Sequence, residues 1–279
     1  MVQTKRLFVN MESLKKQKNL FANYFKEHRD DSIPDWKITD GKNVKNKKIL
    51  VVGVGTGRDV SFLAKHNDIY AVDISSEGLQ IAWKKGIRVK KCDVDKEKLP
   101  YKNNVFDIVI CKDIFEHLVN PMFLLREIKR VLAKRGYVVI NIPNHFYWWY
   151  RLRLLFGKNL LWKVLGQDHT KLYDEWDYMH IRFFTWKGMQ KFLAEAEFRV
   201  TKTFWDFGTL AYYNDPDFVM GLLKNKKAPT VVERLLIQHG NLAWNRFNSL
   251  FPKKIRARMV SLDPGFFCAS FYVWCSVRK

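Results

Sequence analysis

Three glycines at alternate positions, Gly53, Gly55 and Gly57, follow the apolar run of residues 49–52 and precede a polar stretch. Glycine adopts backbone conformations that residues with side chains rarely adopt, so a ligand can approach the main chain closely at such a loop. A helix that follows the loop would also present its N-terminal amide groups to the ligand. The pattern therefore indicates a nucleotide-like cofactor bound where a buried parallel strand ends.

Polar side chains follow each of the next three apolar runs. Asp73 ends the second run, residues 69–72, and lies twenty residues after Gly53. A carboxylate at that strand end can accept hydrogen bonds from both hydroxyl groups of a ribose. The third run, residues 87–91, and the fourth, residues 106–110, are followed by Cys92 with Asp93 and by Cys111 with Asp113. Because the carboxyl ends of parallel strands meet at one edge of a sheet, these groups are expected to line one site.

A nicotinamide-dependent dehydrogenase is the rival interpretation of the glycine loop. That class of enzyme has its third glycine one position later, where this chain has Arg58, and a bulky side chain there hinders close packing of the helix on the strand. A turn that binds nothing is the other alternative, because alternating glycines alone are a weak signal. The acids at the following strand ends favour a ligand site over both alternatives.

Six sequence blocks, taken in order, resemble the class I S-adenosylmethionine-dependent methyltransferases, and specifically the branch that includes the ubiquinone-biosynthesis O-methyltransferases. The blocks run from about Lys48 to Asn144 and resume at His180. They read VVGVGTGRD, AVDIS, KCDVDKEKLPY, FDIVICKDIFEHLVNP, LLREIKRVLAKRGYVVINIPN and HIRFFTWKGMQKFL. Their order and spacing are far more specific than any single block.

The resemblance implies an α/β fold, with a Rossmann-like seven-stranded sheet and helices on both faces, and S-adenosylmethionine as cofactor with S-adenosylhomocysteine as product. In such enzymes the glycine loop lies against the methionyl part of the cofactor. The acid after the second strand holds the ribose, and the acid after the third holds the adenine amino group. Carried over, the binding residues here are Gly53, Val54, Gly55, Thr56, Gly57, Asp73, Ile74, Asp93, Val94 and Cys111.

One departure from the family pattern concerns the methionyl amino group. The family usually has an acid where this chain has Val51, two positions before the first glycine. Water, or main-chain carbonyls such as those of Gly53 and Cys111, would take that role here. The departure leaves a non-catalytic binding protein with a degenerate methyltransferase fold as an alternative to an enzyme.

Two histidines are the candidates for acceptor activation. Methyl transfer from a sulfonium is a direct displacement, so the protein mainly aligns the nucleophile and excludes water, and a hydroxyl acceptor must also lose its proton. His117 lies just beyond the fourth strand, with His180 as the second candidate, and an imidazole titrates near neutral pH. Either histidine could instead cap a helix or hydrogen-bond the backbone. Asn144 and Trp148 are predicted to line the substrate side.

Asp113, Glu116 and His117 form a D-x-x-E-H cluster, with His180 about sixty residues later. The cluster resembles the E-x-x-E-H motif and distal histidine that bind a divalent cation in ubiquinone-pathway O-methyltransferases and in small-RNA 2′-O-methyltransferases. A hard cation held there would bind adjacent hydroxyl groups and lower their pKa. Related methyltransferases with the Glu-His pair use no metal, so both mechanisms stay open.

The chain of 279 residues carries 49 Lys and Arg against 28 Asp and Glu, a net charge of +21 that is spread along its length. Such a field favours anionic partners, which include nucleic acid, anionic lipid headgroups and phosphorylated substrates, although a solvated basic surface explains it equally well. No signature of an RNA-recognition module occurs.

The preferred function is methylation of a small-molecule or a lipid- or glycan-linked acceptor, with oxygen as the favoured atom. The alternative is an RNA methyltransferase.

The cysteine content and the N-terminal sequence predict a cytoplasmic protein. The four cysteines lie far apart without C-x-x-C spacing, which is typical of buried thiols in a reducing compartment: Cys92, Cys111, Cys268 and Cys275. The first residues lack an apolar signal region, and no apolar run reaches the ~18 residues of a membrane span. Peripheral contact with the inner face of an anionic membrane is compatible with this pattern, and the oligomeric state is left open.

Two units are expected along the chain. Residues 1–45 have apolar residues three or four positions apart and are predicted to form an N-terminal helical cap, and residues 46–279 the methyltransferase domain. Insertions are expected at about 145–180 and 208–265. The remaining strands are predicted at residues 137–142, 198–204 and 266–277, with helices starting at Asn120–Pro121 and at Thr185.

The first insertion begins with a segment rich in aromatic residues and leucines, HFYWWYRLRLLFGKNLLWKVLG, at residues 145–166. Three interpretations are open. The segment could be a buried substrate cap, an amphipathic helix at a membrane interface, or a surface on which bases stack. A buried cap is preferred, because large apolar side chains are most often buried.

Overall fold

The computed structural model describes residues 38–39, 44–155, 157, 180–207 and 253–278. The predicted N-terminal helical cap, residues 1–45, lies almost entirely outside these residues. So do most of the insertion at 208–265 and residues 158–179 of the first insertion.

A seven-stranded sheet with the order β3-β2-β1-β4-β5-β7-β6 forms the centre of the described structure. Its strands are β1 (Lys48–Val52), β2 (Asp68–Asp73), β3 (Arg88–Lys91), β4 (Phe106–Lys112), β5 (Leu132–Pro143), β6 (Phe198–Phe207) and β7 (Cys268–Val277). Strands β1 to β5 are parallel, whereas β7 runs antiparallel to both β5 and β6. The carboxyl ends of the parallel strands therefore share one edge, and the predicted fold class is confirmed.

The central strands are apolar on both faces, which is typical of parallel strands covered by helices on both sides. In β1, Ile49 and Val51 belong to one buried cluster, and Leu50 and Val52 belong to the other. All four side chains are buried. This arrangement holds the strand ends rigidly, and the candidate site is built on those ends.

Helices α1 (Ser76–Lys84), α2 (Pro121–Val131) and α4 (Trp186–Glu195) cover the sheet. Helix α1 packs on one face, and α2 and α4 pack on the other. Asn120 and Thr185 cap α2 and α4, because their side-chain oxygens accept hydrogen bonds from backbone amides in the first helical turn. Both predicted helix starts are confirmed. The other helices described are α3 (Trp148–Leu155), α5 (Lys253–Leu262) and α6 (Pro264–Phe267).

The helix predicted after the glycine loop is much shorter in the structure than expected. Only the 3₁₀ turn Ser61–Leu63 forms there. The amide of Asn67 donates hydrogen bonds to the carbonyl oxygens of Val44 and Leu63, at 2.9 and 3.0 Å. These bonds satisfy the Leu63 carbonyl oxygen at the end of the turn and direct the chain into β2. The helix therefore ends after one turn.

The seventh strand starts two residues later than predicted. Residues Pro264–Phe267 form α6, and the side chain of Asp263 accepts a hydrogen bond from the Phe266 amide. Proline in the first turn and aspartate as the cap both favour a helical start. Strand β7 therefore begins at Cys268.

The described residues also bear on two further predictions, one about membrane-spanning helices and one about the cysteines. None of the helices described is long and apolar enough to cross a membrane. The four cysteines are all buried thiols, as predicted from their spacing: Cys92, Cys111, Cys268 and Cys275.

Candidate active site

The glycine loop follows β1 with left-handed backbone angles, φ being +71° at Gly53, +52° at Gly55 and +71° at Gly57. A Cβ atom on Gly53 would lie 1.9 Å from Cδ1 of Ile114, which follows β4. A side chain is therefore excluded at Gly53 both by conformation and by space. The loop is therefore held close to the end of β4.

Asp73 lies at the end of β2 and is only 9% exposed. One carboxylate oxygen accepts a hydrogen bond from the Gly55 amide and the other from the Ser75 amide, both at 2.8 Å. Burial raises the pKa of Asp73 above its usual value, while these two amides lower it. Each oxygen keeps a second lone pair, so the carboxylate fits a ribose diol beside the glycine loop.

The loop after β3 carries Asp93 next to the Asp73 strand end. The Cys92 amide donates a hydrogen bond to the Asp73 carbonyl at 3.0 Å, which sets the two strand ends side by side. Asp95, two residues later, accepts hydrogen bonds from the amides of Val119 and Asn120. The loop is thus tied to the start of α2, and recognition of adenine by Asp93 stays a prediction.

The other predicted cofactor residues lie around the same strand ends. Val54, Thr56 and Cys111 are buried, whereas Ile74 and Val94 are half-buried. Sequence reasoning missed Gly78 in α1, where a Cβ atom would come within 2.8 Å of the Gly55 carbonyl oxygen. Helix α1 can pack against the glycine loop only with glycine at this position. The signal that could have identified it is the Ser75 cap three residues earlier, which bonds the Gly78 amide.

A cluster of three histidines lies beyond β4 and β5. His117 ends the 3₁₀ turn Phe115–His117, and its ring centre is 4.7 Å from that of His180. His145, two residues after β5, is 2% exposed, and its Nε2 atom lies 2.7 Å from Nδ1 of His180. Sequence reasoning missed His145, although it follows a strand end at the ligand-binding edge, as the predicted residues do. The three rings form one polar group at this edge.

His180 reaches this group through backbone pairing. The amides of Ile181 and Arg182 both donate hydrogen bonds to the Glu116 carbonyl oxygen, at 2.9 and 3.1 Å. The guanidinium of Arg182 also donates to the carbonyl oxygens of Leu118, at 2.7 Å, and Val119. Four hydrogen bonds therefore fix the segment after residue 180 against the chain that follows β4. Arg182 was not identified from the sequence.

Burial keeps two of the histidines uncharged. It lowers the pKa of His145 to about 4, with a further contribution from His117. It also lowers the pKa of His180 to about 2, with contributions from His117 and His145. Neutral imidazoles each carry one N–H and one lone pair, so the short contact between His145 and His180 is a hydrogen bond when one ring is protonated at the contacting nitrogen and the other is not.

Glu116 is fully buried beside the histidines. Neither of its carboxylate oxygens has a hydrogen-bond partner among the described residues. Burial raises the pKa of Glu116 well above its usual value, and the nearby charge of Asp113 raises it further. Glu116, His117 and His180 each offer a ligand atom, and these three atoms lie within 4.8 Å of one another. The set has the donor types of a divalent-cation site.

Asp113 is the predicted metal ligand that does not join this set. Its Oδ1 atom accepts a hydrogen bond from the Asn141 side chain at 2.9 Å, and its backbone has a left-handed φ of +50°. The structure therefore brings together three of the four candidate ligands and directs the Asp113 carboxylate to β5.

Asn144, predicted to line the substrate side, makes its observed side-chain contacts with the backbone, and a contact with substrate stays a prediction. Its side chain is fully buried, donates to the carbonyls of Gly265 and Cys268, and accepts from the Phe146 amide. These bonds use both amide hydrogens and the amide oxygen, so Asn144 joins the end of β5 to the start of β7. Trp148 is partly exposed at the start of α3, and its contact with a substrate stays a prediction.

Known proteins resemble this chain in sequence and in fold. A family described as "Methyltransferase domain" matches residues 50–140. An uncharacterised protein of Methanocaldococcus jannaschii is 37% identical over 101 residues, which cover 36% of this chain and 47% of that protein. The ubiquinone biosynthesis O-methyltransferase of Psychrobacter cryohalolentis is 23% identical over 177 residues, which cover 59% of this chain and 63% of that enzyme.

Among solved structures, phosphoethanolamine N-methyltransferase 2 of Haemonchus contortus, in complex with S-adenosyl-L-methionine, superposes with a TM-score of 0.55. The identity is 13%, and the match covers 94% of this chain and 57% of that enzyme. A likeness at this identity shows the fold alone. The chain spans about half the length of two M. jannaschii relatives that it matches, 47% of one and 45% of the other.

Proposed function

Because the chain carries a class I S-adenosylmethionine-dependent methyltransferase domain, we propose that it transfers a methyl group to an oxygen atom of a small-molecule or a lipid- or glycan-linked acceptor. The observation that carries the proposal is the placement of His117 and His180 beside each other at the edge that also bears Asp73 and the glycine loop. A cofactor site and a proton acceptor thus share one edge of the sheet. The ubiquinone biosynthesis O-methyltransferases among the relatives support oxygen as the acceptor atom.

Different residues of the chain bind the cofactor and accept the proton of the acceptor. A bound cofactor would supply the methyl carbon of a sulfonium for direct displacement by the acceptor oxygen, with the neutral thioether S-adenosylhomocysteine as leaving group. Asp73 and the glycine loop hold the adenosine end, and His117 accepts the proton of the acceptor hydroxyl. His180 orients the His117 ring by edge-to-face contact, and His145 holds His180 through their hydrogen bond.

Water exclusion is the second requirement. His145 is stacked on Tyr150 with ring centres 6.1 Å apart, and it meets Phe183 edge-to-face at 4.9 Å. These aromatic rings make the surroundings of the histidines apolar, which strengthens their electrostatic contacts with a reacting group.

The acceptor class can be identified by following a labelled methyl group. The purified protein is incubated with S-adenosylmethionine labelled in its methyl carbon and with cell extract separated into organic-soluble, aqueous small-molecule and RNA fractions. We expect label in one of the first two fractions, with the carbon chemical shift of a methyl group on oxygen. Label in RNA alone would favour the RNA methyltransferase. No transfer by a protein that binds S-adenosylhomocysteine would indicate a binding protein.

A divalent cation is the alternative means of activating the acceptor. Glu116, His117 and His180 would hold the ion, and the Glu116 oxygens, which lack a hydrogen-bond partner among the described residues, fit that role. A bound cation acts as a Lewis acid and lowers the pKa of a hydroxyl group.

Chelation distinguishes the two mechanisms. We expect turnover after treatment with EDTA and removal of the chelator to equal that of the untreated protein, because His117 needs no cation to accept a proton. Loss of activity that Mg²⁺ or Zn²⁺ restores would assign Glu116, His117 and His180 to a metal site instead. A Glu116→Gln variant provides the matched control, since its activity would then no longer respond to the added ion.

A further inference from the structure

An ion pair joins the end of β4 to the segment that follows the glycine loop. Lys112 ends β4, and its Nζ atom lies 2.5 Å from Oδ2 of Asp59. Asp59 follows Gly57 by two residues, and its other carboxylate oxygen lies 3.3 Å from Nε of Arg58. The side chains of Lys112 and Asp59 are 21% and 33% exposed. Both side chains are therefore partly accessible at the carboxyl edge of the sheet.

The pair lies at the end of an apolar row of side chains. In the β1–β4 register Val51 lies beside Ile110, and both are buried. Lys112 is two residues beyond Ile110 on the same strand, so its side chain leaves the same face of the sheet. Beyond the buried pair of Val51 and Ile110, the apolar contacts are thus followed by Lys112 at the end of β4 and by its partner Asp59 after the glycine loop.

The two ends of S-adenosylmethionine need different environments. Adenosine is polar and uncharged, whereas the methionyl group carries both an ammonium and a carboxylate. Asp73 at β2 and Asp93 after β3 place adenosine on one side of the binding edge. The sheet order β3-β2-β1-β4 then leaves the ends of β1 and β4 for the methionyl group. Lys112 and Asp59 are the opposite charges at that place.

Building on the proposed function, we propose that Lys112 and Asp59 bind the methionyl end of the cofactor. Lys112 donates hydrogen bonds to the methionyl carboxylate, and Asp59 accepts them from the methionyl ammonium. The four charges alternate in sign, so each side chain keeps an opposite charge beside it when the ligand is bound. Hydrogen bonds between charged partners are among the stronger ones in proteins, which makes this pair a determinant of cofactor affinity.

Three ligands separate the contributions of the two charges in calorimetric titrations. S-adenosylhomocysteine has both the ammonium and the carboxylate, its decarboxylated analogue S-adenosyl-3-thiopropylamine has only the ammonium, and 5′-methylthioadenosine has neither. Each ligand is titrated into the wild type, Lys112→Met and Asp59→Asn. We expect Lys112→Met to weaken S-adenosylhomocysteine about 10- to 100-fold, the usual size of a charged hydrogen bond, and to leave the other two ligands unchanged.

Asp59→Asn is expected to weaken both ligands that carry the ammonium and to leave 5′-methylthioadenosine unchanged. A purely structural ion pair predicts a different pattern, in which each variant weakens all three ligands by the same factor. That pattern, or no change for any ligand, would overturn the inference. A wild type that binds none of the three would contradict the proposed cofactor itself, and the inference with it.

Two further variants control for folding and for loss of charge in general. Lys112→Arg keeps the positive charge and should retain affinity for S-adenosylhomocysteine, even if Lys112→Met folds poorly. Lys129→Met removes the lysine of another ion pair, with Glu197 at 2.8 Å, between α2 and the residue before β6. Exposed ion pairs contribute little to folding, so this variant should bind all three ligands as the wild type does. If Lys129→Met also binds the ligands more weakly, loss of a lysine far from the site is enough to lower affinity. The weaker binding of Lys112→Met would then be no evidence of a direct contact with the methionyl group.

Discussion

His117→Ala is expected to lower the turnover number by about 10²- to 10⁴-fold, the usual contribution of a positioned general base, with unchanged affinity for S-adenosylmethionine. His117 ends the 3₁₀ turn that follows β4, and its side chain is 17% exposed. His180 differs, because burial and the neighbouring histidines His117 and His145 lower its pKa to about 2. An imidazole with so low a pKa is a weak proton acceptor. His180→Ala should therefore have the smaller effect.

The measurement is kcat and KM for the acceptor identified by methyl labelling, together with calorimetric binding of the cofactor product. His66→Ala is the matched control, since His66 is exposed and precedes β2 at the opposite edge of the sheet. We expect this control to turn over like the wild type. Near wild-type turnover of His117→Ala across the pH range would make His117 a structural residue.

Asp73→Ala should weaken binding of S-adenosylhomocysteine by about 1.5–3 kcal/mol, the range for hydrogen bonds to charged groups. The variant removes a contact to both ribose hydroxyls. It also removes the acceptors of the Gly55 and Ser75 amides, which position the glycine loop. Affinity is measured by calorimetry, and thermal unfolding shows whether the loss comes from misfolding.

Asp73→Asn and Asp68→Ala complete this experiment. The asparagine keeps the size of the side chain but not its charge, so we expect an intermediate loss of affinity. Asp68 begins the same strand at the opposite edge, where it pairs with Arg88 at 3.2 Å. Its replacement should leave the affinity unchanged. If Asp73→Ala binds as tightly as the wild type, the ribose contact assigned to Asp73 is wrong.

Local sequence patterns were enough to predict the parallel part of the sheet. Apolar runs predicted β2 and β4 to within two residues, since these inner parallel strands are largely buried, and β3 was predicted to within one residue although it is an edge strand with exposed side chains. The polar residues that end these runs then identified the ligand-binding edge. Boundaries shifted where a local cap competed with the apolar pattern, as at Asp263 before α6 and Asn67 after the 3₁₀ turn.

The roles of polar residues were less predictable where their partners are distant in sequence. Asn144 follows β5 as a substrate residue would, yet its amide bonds the carbonyls of Gly265 and Cys268, more than one hundred positions away. His145, its neighbour, looked like the start of an insertion and instead bonds His180 across 35 positions. A single sequence contains no signal for either pairing.

The sequence by itself determined the fold class, the cofactor and the strand ends that bear Asp73 and His117. The fold class and the strand ends follow from apolar periodicity and glycine conformations, which act over a few residues, whereas the cofactor follows from the resemblance of six ordered sequence blocks to known methyltransferases. Only the tertiary structure decided which polar side chains meet at the shared edge. Lys112 contacts Asp59 across 53 positions because β4 lies beside β1, and strand order is set by packing of the whole sheet.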